Sequence, residues 1–181
     1  KPSALFISVP IKLPPIGGNG LDNLLTHIQE GSSPILIQMT ATLDEKEILA
    51  RCNARREGTL MQTLNIEFVG VDKESITAKM PVNASVYQPD GVLHGGATAA
   101  LLETVGSVAV FVFKDTTDLM VRGIELSINH LKGVKSGHVY ATAKAIHLGR
   151  TTQLWEVQVT DEDNNLISVG KLTTLTLQKK A

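Results

Sequence analysis

The chain has 181 residues, 43% of them hydrophobic and 19% charged, which suits one domain with a sizeable core. Its 17 basic and 18 acidic residues give a formal net charge of −1, so we expect neither nucleic-acid binding nor a polybasic membrane surface. The single cysteine, Cys52, cannot form an intrachain disulfide. Because prolines also interrupt the apolar start of the chain, we predict a cytoplasmic protein rather than a secreted one.

The first part of the chain differs in composition from the rest. Residues 1–43 combine prolines, glycines and short apolar runs, and we treat them as an N-terminal extension of unknown role. Residues 44–181 are predicted to form the functional domain. Within it, Asp44 and Glu47 form a capping box that predicts a helix from 44 to about 56, which Gly58 would end.

Alternating apolar and polar residues predict the strands that follow. Residues 65–71 and 76–82 are expected to form a hairpin, and a long helix is predicted over about 94–113. An antiparallel meander is then predicted from four β-rich runs, at 121–131, 138–148, 151–160 and 166–177. A long helix lying against an antiparallel sheet is an α+β fold. Because the sheet edges need partners, we also expect a homo-oligomer.

The predicted helix over 94–113 is apolar and long enough to resemble a membrane span. However, Glu103 at its centre would cost about 3 kcal/mol on insertion, and no asymmetry of lysine and arginine flanks it. A core helix covered by sheet is therefore the better prediction. We expect Glu103 to be a buried carboxylate, which needs either a partner or a chemical role. Ser107 follows by one turn and could hold the carboxylate, although such pairs are also common by chance.

A set of residues suited to acyl transfer lies at the predicted start of this helix. His94, Gly95 and Gly96 would begin it, and the two glycines allow a ligand to approach the backbone N–H groups. The positive end of the helix dipole would stabilise developing negative charge there. Gln88 adds a carboxamide. The five histidines show no zinc-binding spacing, so no metal site is expected.

These residues resemble a known family. The run 88–97, together with Glu103 and residues 106–107, is similar to hotdog-fold acyl-CoA thioesterases of the branch that uses a helical glutamate. Further matches lie at 128–130, 147–155 and 171–174. The resemblance covers about 47–179 and implies a hotdog fold, in which an antiparallel sheet wraps a long central helix. Within the family the sequence is similar to enzymes that act on aryl thioesters such as dihydroxynaphthoyl-CoA, hydroxybenzoyl-CoA and phenylacetyl-CoA derivatives, or on aryl groups attached to carrier proteins, and it does not distinguish among these substrates.

The resemblance also assigns roles to individual residues. It implies that Glu103 is the catalytic carboxylate, acting as nucleophile or as general base. The N–H of Gly95 and the side chain of Gln88 would form the oxyanion hole. His94 would orient the thioester or the water, and Ser107 would hold Glu103.

The same resemblance predicts how coenzyme A is bound. Coenzyme A is part of the substrate, and no separate cofactor is expected. His130 and Lys132 would reach its nucleotide phosphates, although Lys132 is equally compatible with an ordinary surface charge, as is Arg150. The remaining predicted contacts with the acyl group or coenzyme A involve Val92, Leu93, Gly96, Phe111, Gly149, Arg150 and Thr151. We interpret His138, His147, Tyr140 and Trp155 as surface or packing residues.

In the dimers of this family, the helix start of one subunit and the helix middle of the other form each site. The resemblance therefore implies that Gly95 and Glu103 of one site come from different chains, that a dimer is the minimal active unit, and that dimers pair into a tetramer. Two alternatives stay open at this stage. One is a hotdog hydratase or dehydratase, which abstracts a proton next to the carbonyl, and the other is a non-catalytic acyl-CoA-binding module.

Overall fold

The two longer helices of the domain begin close to their predicted positions. A computed structural model describes residues 44–179, so the predicted N-terminal extension lies outside the described residues. The described part of the chain contains helices α1 (Glu45–Asn53), α2 (Leu60–Thr63) and α3 (Gly95–Phe113), with a short 3-10 turn at Ala84–Val86. Asp44 caps α1 as predicted, because its Oδ1 accepts a hydrogen bond from the Glu47 N–H at 2.7 Å.

Helix α1 is shorter than predicted. It ends at Asn53 rather than near residue 56. The Asn53 side chain both donates to the Phe68 carbonyl and accepts from the Phe68 N–H, each at 2.9 Å. These two hydrogen bonds join the end of α1 to a distant strand, a tertiary contact that helix periodicity could not reveal.

Six antiparallel strands form one sheet in the order β1-β2-β4-β5-β6-β3. They are β1 (Glu67–Val71), β2 (Ser75–Pro81), β3 (Leu119–His130), β4 (His138–Leu148), β5 (Thr152–Asp161) and β6 (Leu166–Gln178). The predicted hairpin is present as β1 and β2, but the predicted four-strand meander is wrong at its first strand. β3 pairs with β6, and β4 pairs with β2. The alternation of apolar and polar residues shows which face of a strand is buried but does not identify the neighbouring strand. The strand order was therefore not predictable from this pattern.

Helix α3 packs across one face of the sheet. Leu101, Leu102 and Val105 are fully buried against it, as is Trp155, in agreement with the packing role predicted for that residue. The helix approaches β6 closely, since a Cβ atom at Gly170 would lie 2.7 Å from Leu102 Cδ1. Within residues 44–179, α3 is the one helix long and apolar enough to cross a membrane. Its contacts with the sheet agree with the predicted core helix.

Candidate active site

The start of α3 is organised by its own capping residue. His94 has extended backbone angles, and its Nδ1 accepts a hydrogen bond from the Gly96 N–H at 2.7 Å. In this arrangement Nδ1 bears no proton, so the neutral ring presents Nε2–H as a donor. Gly95 is the first helical residue, and its N–H has no intrahelical acceptor. The helix start therefore offers two donors to a ligand.

A cavity of about 280 Å³ opens beside this helix start. It brings together six of the predicted site residues with five that the sequence did not indicate. The lining residues are Gln88, Val92, Leu93, Gly95, Thr98, His130, Leu131, Lys132, Gly133, Ile167 and Ser168. Both the predicted oxyanion-hole residues and the predicted coenzyme A contacts at the end of β3 thus line one opening.

Gln88 lies on a tight loop whose hydrogen bonds hold its backbone and its carboxamide in place. Its backbone N–H donates to the Val92 carbonyl, and its carbonyl accepts from the Gly91 N–H, both at 2.9 Å. Its Nε2 donates to Asp90 Oδ2 at 3.2 Å. One Nε2 hydrogen is therefore engaged, which leaves the other for a ligand. Asp90 was not predicted as a site residue, since its contact with Gln88 depends on the shape of the turn.

His130 lies against the helix start. A Cβ atom at Gly95 would be 2.8 Å from His130 Nε2, so only glycine leaves room for the imidazole there. On its other side, His130 Nδ1 is 3.0 Å from the Oγ of Ser168, a residue only 1% exposed. Ser168 lies in an apolar stretch of β6, and no sequence pattern indicated it as a site residue. Only the pairing of β3 with β6 places it under the imidazole.

Lys132 lines the cavity but is engaged by a carboxylate. Its Nζ lies 3.4 Å from Asp161 Oδ2. Hydrogen bonds from the Asn165 side chain, and then from Lys132, lower the pKa of the Asp161 carboxyl. Because that carboxylate remains ionised near neutral pH, a phosphate would have to compete with it for Lys132.

The expectation that Glu103 is buried is wrong for a single chain. Its side chain is exposed, although it lies beside β3 at one edge of the sheet. Among residues 44–179, no hydrogen bond joins it to Ser107. Its position is limited instead by β3, because a Cβ atom at Gly123 would lie 2.9 Å from Glu103 Oε1. Gly123 is next to a bulge in that strand.

The two parts of the predicted site are separated within one chain. Gly95 and Glu103 are eight residues apart on one helix, a distance of about 12 Å along its axis. A single thioester carbonyl cannot contact both. The separation is compatible with the expectation that two chains contribute to each site.

Three further predicted contacts lie in the turn between β4 and β5. The Gly149 carbonyl accepts from Lys114 Nζ at 3.2 Å, and the Arg150 carbonyl accepts from Thr176 Oγ1 at 3.2 Å. Gly149, Arg150 and Thr151 do not line the cavity at the helix start. Their contacts with coenzyme A stay a prediction.

The residues that could support metal or thiol chemistry do not form such a site in residues 44–179. No cluster of three or more histidine, cysteine, aspartate or glutamate side chains in this part of the chain could hold a metal ion. Burial raises the pKa of the Cys52 thiol to about 11. The thiol is therefore protonated at neutral pH and is not a nucleophile there.

Comparison with known proteins agrees with this geometry. The sequence profile of the Thioesterase superfamily matches residues 90–168. PA1618 of Pseudomonas aeruginosa is 42% identical over 125 residues, which span 69% of this chain and 86% of PA1618. A crystal structure of a mutant of thioesterase PA1618 superposes with a TM-score of 0.71 at 38% identity, covering 76% of this chain and 96% of that one.

A second relative is named for its substrate. The 1,4-dihydroxy-2-naphthoyl-CoA hydrolase of Escherichia coli is 36% identical over 132 residues, 73% of this chain and 96% of that protein. The predicted resemblance and the predicted fold class are both confirmed. The chain belongs to the hotdog-fold members of the thioesterase superfamily, which are thioester hydrolases.

Proposed function

We propose that this protein hydrolyses an aryl acyl-CoA thioester to the free acid and coenzyme A. The observation on which this rests is the content of α3: its first turn presents the unsatisfied N–H of Gly95 to a cavity, and its third turn presents the helix's single carboxylate, Glu103. An aryl acyl group is supported by the relative named as a dihydroxynaphthoyl-CoA hydrolase.

Each active site in this proposal is shared by two chains. Because Gly95 and Glu103 are about 12 Å apart on one helix, the carboxylate that completes the site comes from the partner's α3. β3 is an edge strand of the sheet, and pairing of two such edges would bring the helices of two copies together. The dimer is then the minimal active unit. A tetramer and a cytoplasmic location remain predictions of the sequence.

The proposed reaction uses both ends of this arrangement. The Gly95 N–H and the free Nε2 hydrogen of Gln88 polarise the thioester carbonyl, and one such donor typically lowers the barrier by about 3 kcal/mol. Nε2–H of His94 orients the thioester. Glu103 either attacks the carbonyl carbon and forms an anhydride that water then hydrolyses, or removes a proton from the attacking water and passes it to the leaving group. A C–O bond forms, the C–S bond breaks, and the coenzyme A sulfur leaves and takes up a proton.

Thiol release from aryl and fatty acyl-CoAs tests this proposal directly. Glu103→Ala should lower turnover of the preferred aryl-CoA by at least about a thousand-fold, while the oligomer measured by size-exclusion chromatography is unchanged. Glu74→Ala is the control, since Glu74 is an exposed glutamate at a hairpin turn. Binding of acyl-CoA without hydrolysis would instead favour the binding-module alternative, and hydration of an enoyl-CoA would favour the hydratase.

A further inference from the structure

A cationic side chain lies at the far end of the α3 face that includes Glu103. The Cζ of Arg55, just after α1, is 4.9 Å from the centre of the Phe111 ring, which is a cation–π distance. Arg55 is exposed, and none of the ion pairs within residues 44–179 includes it. By contrast, Arg51 in the same helix is paired with Glu47 at 2.6 Å.

The nearby thiol of Cys52 does not neutralise the charge of Arg55. Arg55 is close enough to Cys52 to act on that thiol electrostatically. Burial nevertheless keeps the pKa of the thiol at about 11, so the thiol is neutral at pH 7. In the described part of the chain, the guanidinium therefore has an aromatic face beside it and no anion.

Phe111 belongs to the accessible face of α3. Glu103, Ser107 and Phe111 follow one another at intervals of four residues and lie within about 80° of one another around the axis. The same face begins with two small residues, Gly96 and Ala100, and none of these five residues is fully buried. This face is a continuous track from the carboxylate to the aromatic ring.

The length of the track fits an aryl acyl group. Phe111 lies eight residues beyond Glu103, about 12 Å along the axis. A reacting carbonyl carbon would be about 3 Å from the carboxylate or its water, which leaves about 9 Å. An aromatic ring with one carboxylate opposite the carbonyl spans about 6 Å of that gap, and a carboxylate–guanidinium hydrogen bond of about 3 Å fills the rest.

We propose that Arg55 selects aryl acyl groups that bear a carboxylate at the end distant from the thioester, with Phe111 packing on the ring. This inference rests on the proposed thioesterase function. The Arg55 guanidinium lies over the aromatic ring without using its N–H groups in an ion pair within residues 44–179, and its planar fork of N–H groups matches the two oxygens of a carboxylate. No other described cation is placed over that ring.

The test compares two substrates of similar size, 4-carboxybenzoyl-CoA and 4-methylbenzoyl-CoA. The full chain should have the higher kcat/KM for the carboxylate. Arg55→Gln should lower that value by about ten- to a hundred-fold and change the value for the methyl compound by no more than about two-fold. Arg55→Lys should retain part of the preference, because it keeps the charge and loses the planar fork. Arg51→Gln is the matched control and should change neither value.

The outcomes separate this inference from the function on which it rests. If both compounds are cleaved with equal kcat/KM, or if Arg55→Gln lowers both values alike, the role of Arg55 is refuted and the thioesterase function stands. If the unmodified protein cleaves neither of them nor any other aryl thioester, both proposals fail together.

Discussion

Within a single chain, the first turn of α3 is surrounded by more contacting residues than the third turn. At the first turn, His94 caps the helix and Asp90 accepts a hydrogen bond from the Gln88 side chain. His130 lies between the helix and the buried Ser168. At the third turn, Glu103 is exposed and is limited on one side by Gly123. The comparison shows that a single chain surrounds the first turn more fully than the third, as the proposal of a site shared by two copies requires.

The largest expected effect comes from mixing two inactive variants. If Gln88 and Glu103 act across chains, a dimer of one Glu103→Ala chain and one Gln88→Ala chain contains one intact site and one doubly damaged site. Co-refolding the two variants should therefore restore about a quarter of the normal thiol release, since half the dimers are mixed and each has one good site. Activity that remains at the level of the separate variants would show that each site belongs to a single chain.

The second prediction concerns the third turn. Gly123→Ala places a methyl group 2.9 Å from the present position of Glu103 Oε1, so the carboxylate must move. A displacement near 1 Å can cost about a hundred-fold in rate, and we expect that loss in kcat with KM little changed. Gly70→Ala is the control, since its Cβ would meet Thr77 at an ordinary 4.0 Å.

A second substitution distinguishes displacement of the carboxylate from damage to the sheet. Glu103→Asp shortens the side chain and should cost much less kcat in the Gly123→Ala background than in the unmodified protein. Equal costs in both backgrounds would refute the positioning role of Gly123. The folded state of each variant is checked by its thermal unfolding midpoint.

The smallest effect is expected at the first turn. Ser168→Ala removes the hydroxyl group 3.0 Å from His130 Nδ1, and loss of one such hydrogen bond is worth about 1 kcal/mol. We expect about a five-fold loss in kcat/KM, restored by Ser168→Thr if the strand accommodates the methyl group. Ser136→Ala, at an exposed loop position, should leave the rate unchanged. An unaltered rate in Ser168→Ala would mean that packing alone holds the imidazole.

Local features of the fold were predictable because they depend on neighbours in the sequence. The cap at Asp44 and the hairpin of β1 and β2 are formed by hydrogen bonds between residues few positions apart. The limits of α3 follow from its uninterrupted apolar run after His94. By contrast, the pairing of β3 with β6 joins strands far apart in the chain, and the alternation of each strand suits more than one neighbour.

The amino-acid sequence alone determined which chemical groups are present and their order along α3: a capping histidine, a glycine N–H, and one carboxylate two turns later. The tertiary structure decided what surrounds them. It placed Ser168 under His130, Gly123 beside Glu103 and Arg55 over Phe111, and it left Glu103 exposed rather than buried. The physical reason is that helix formation and capping are governed by short-range hydrogen bonds, whereas burial and contact across a sheet depend on which distant segments pack together.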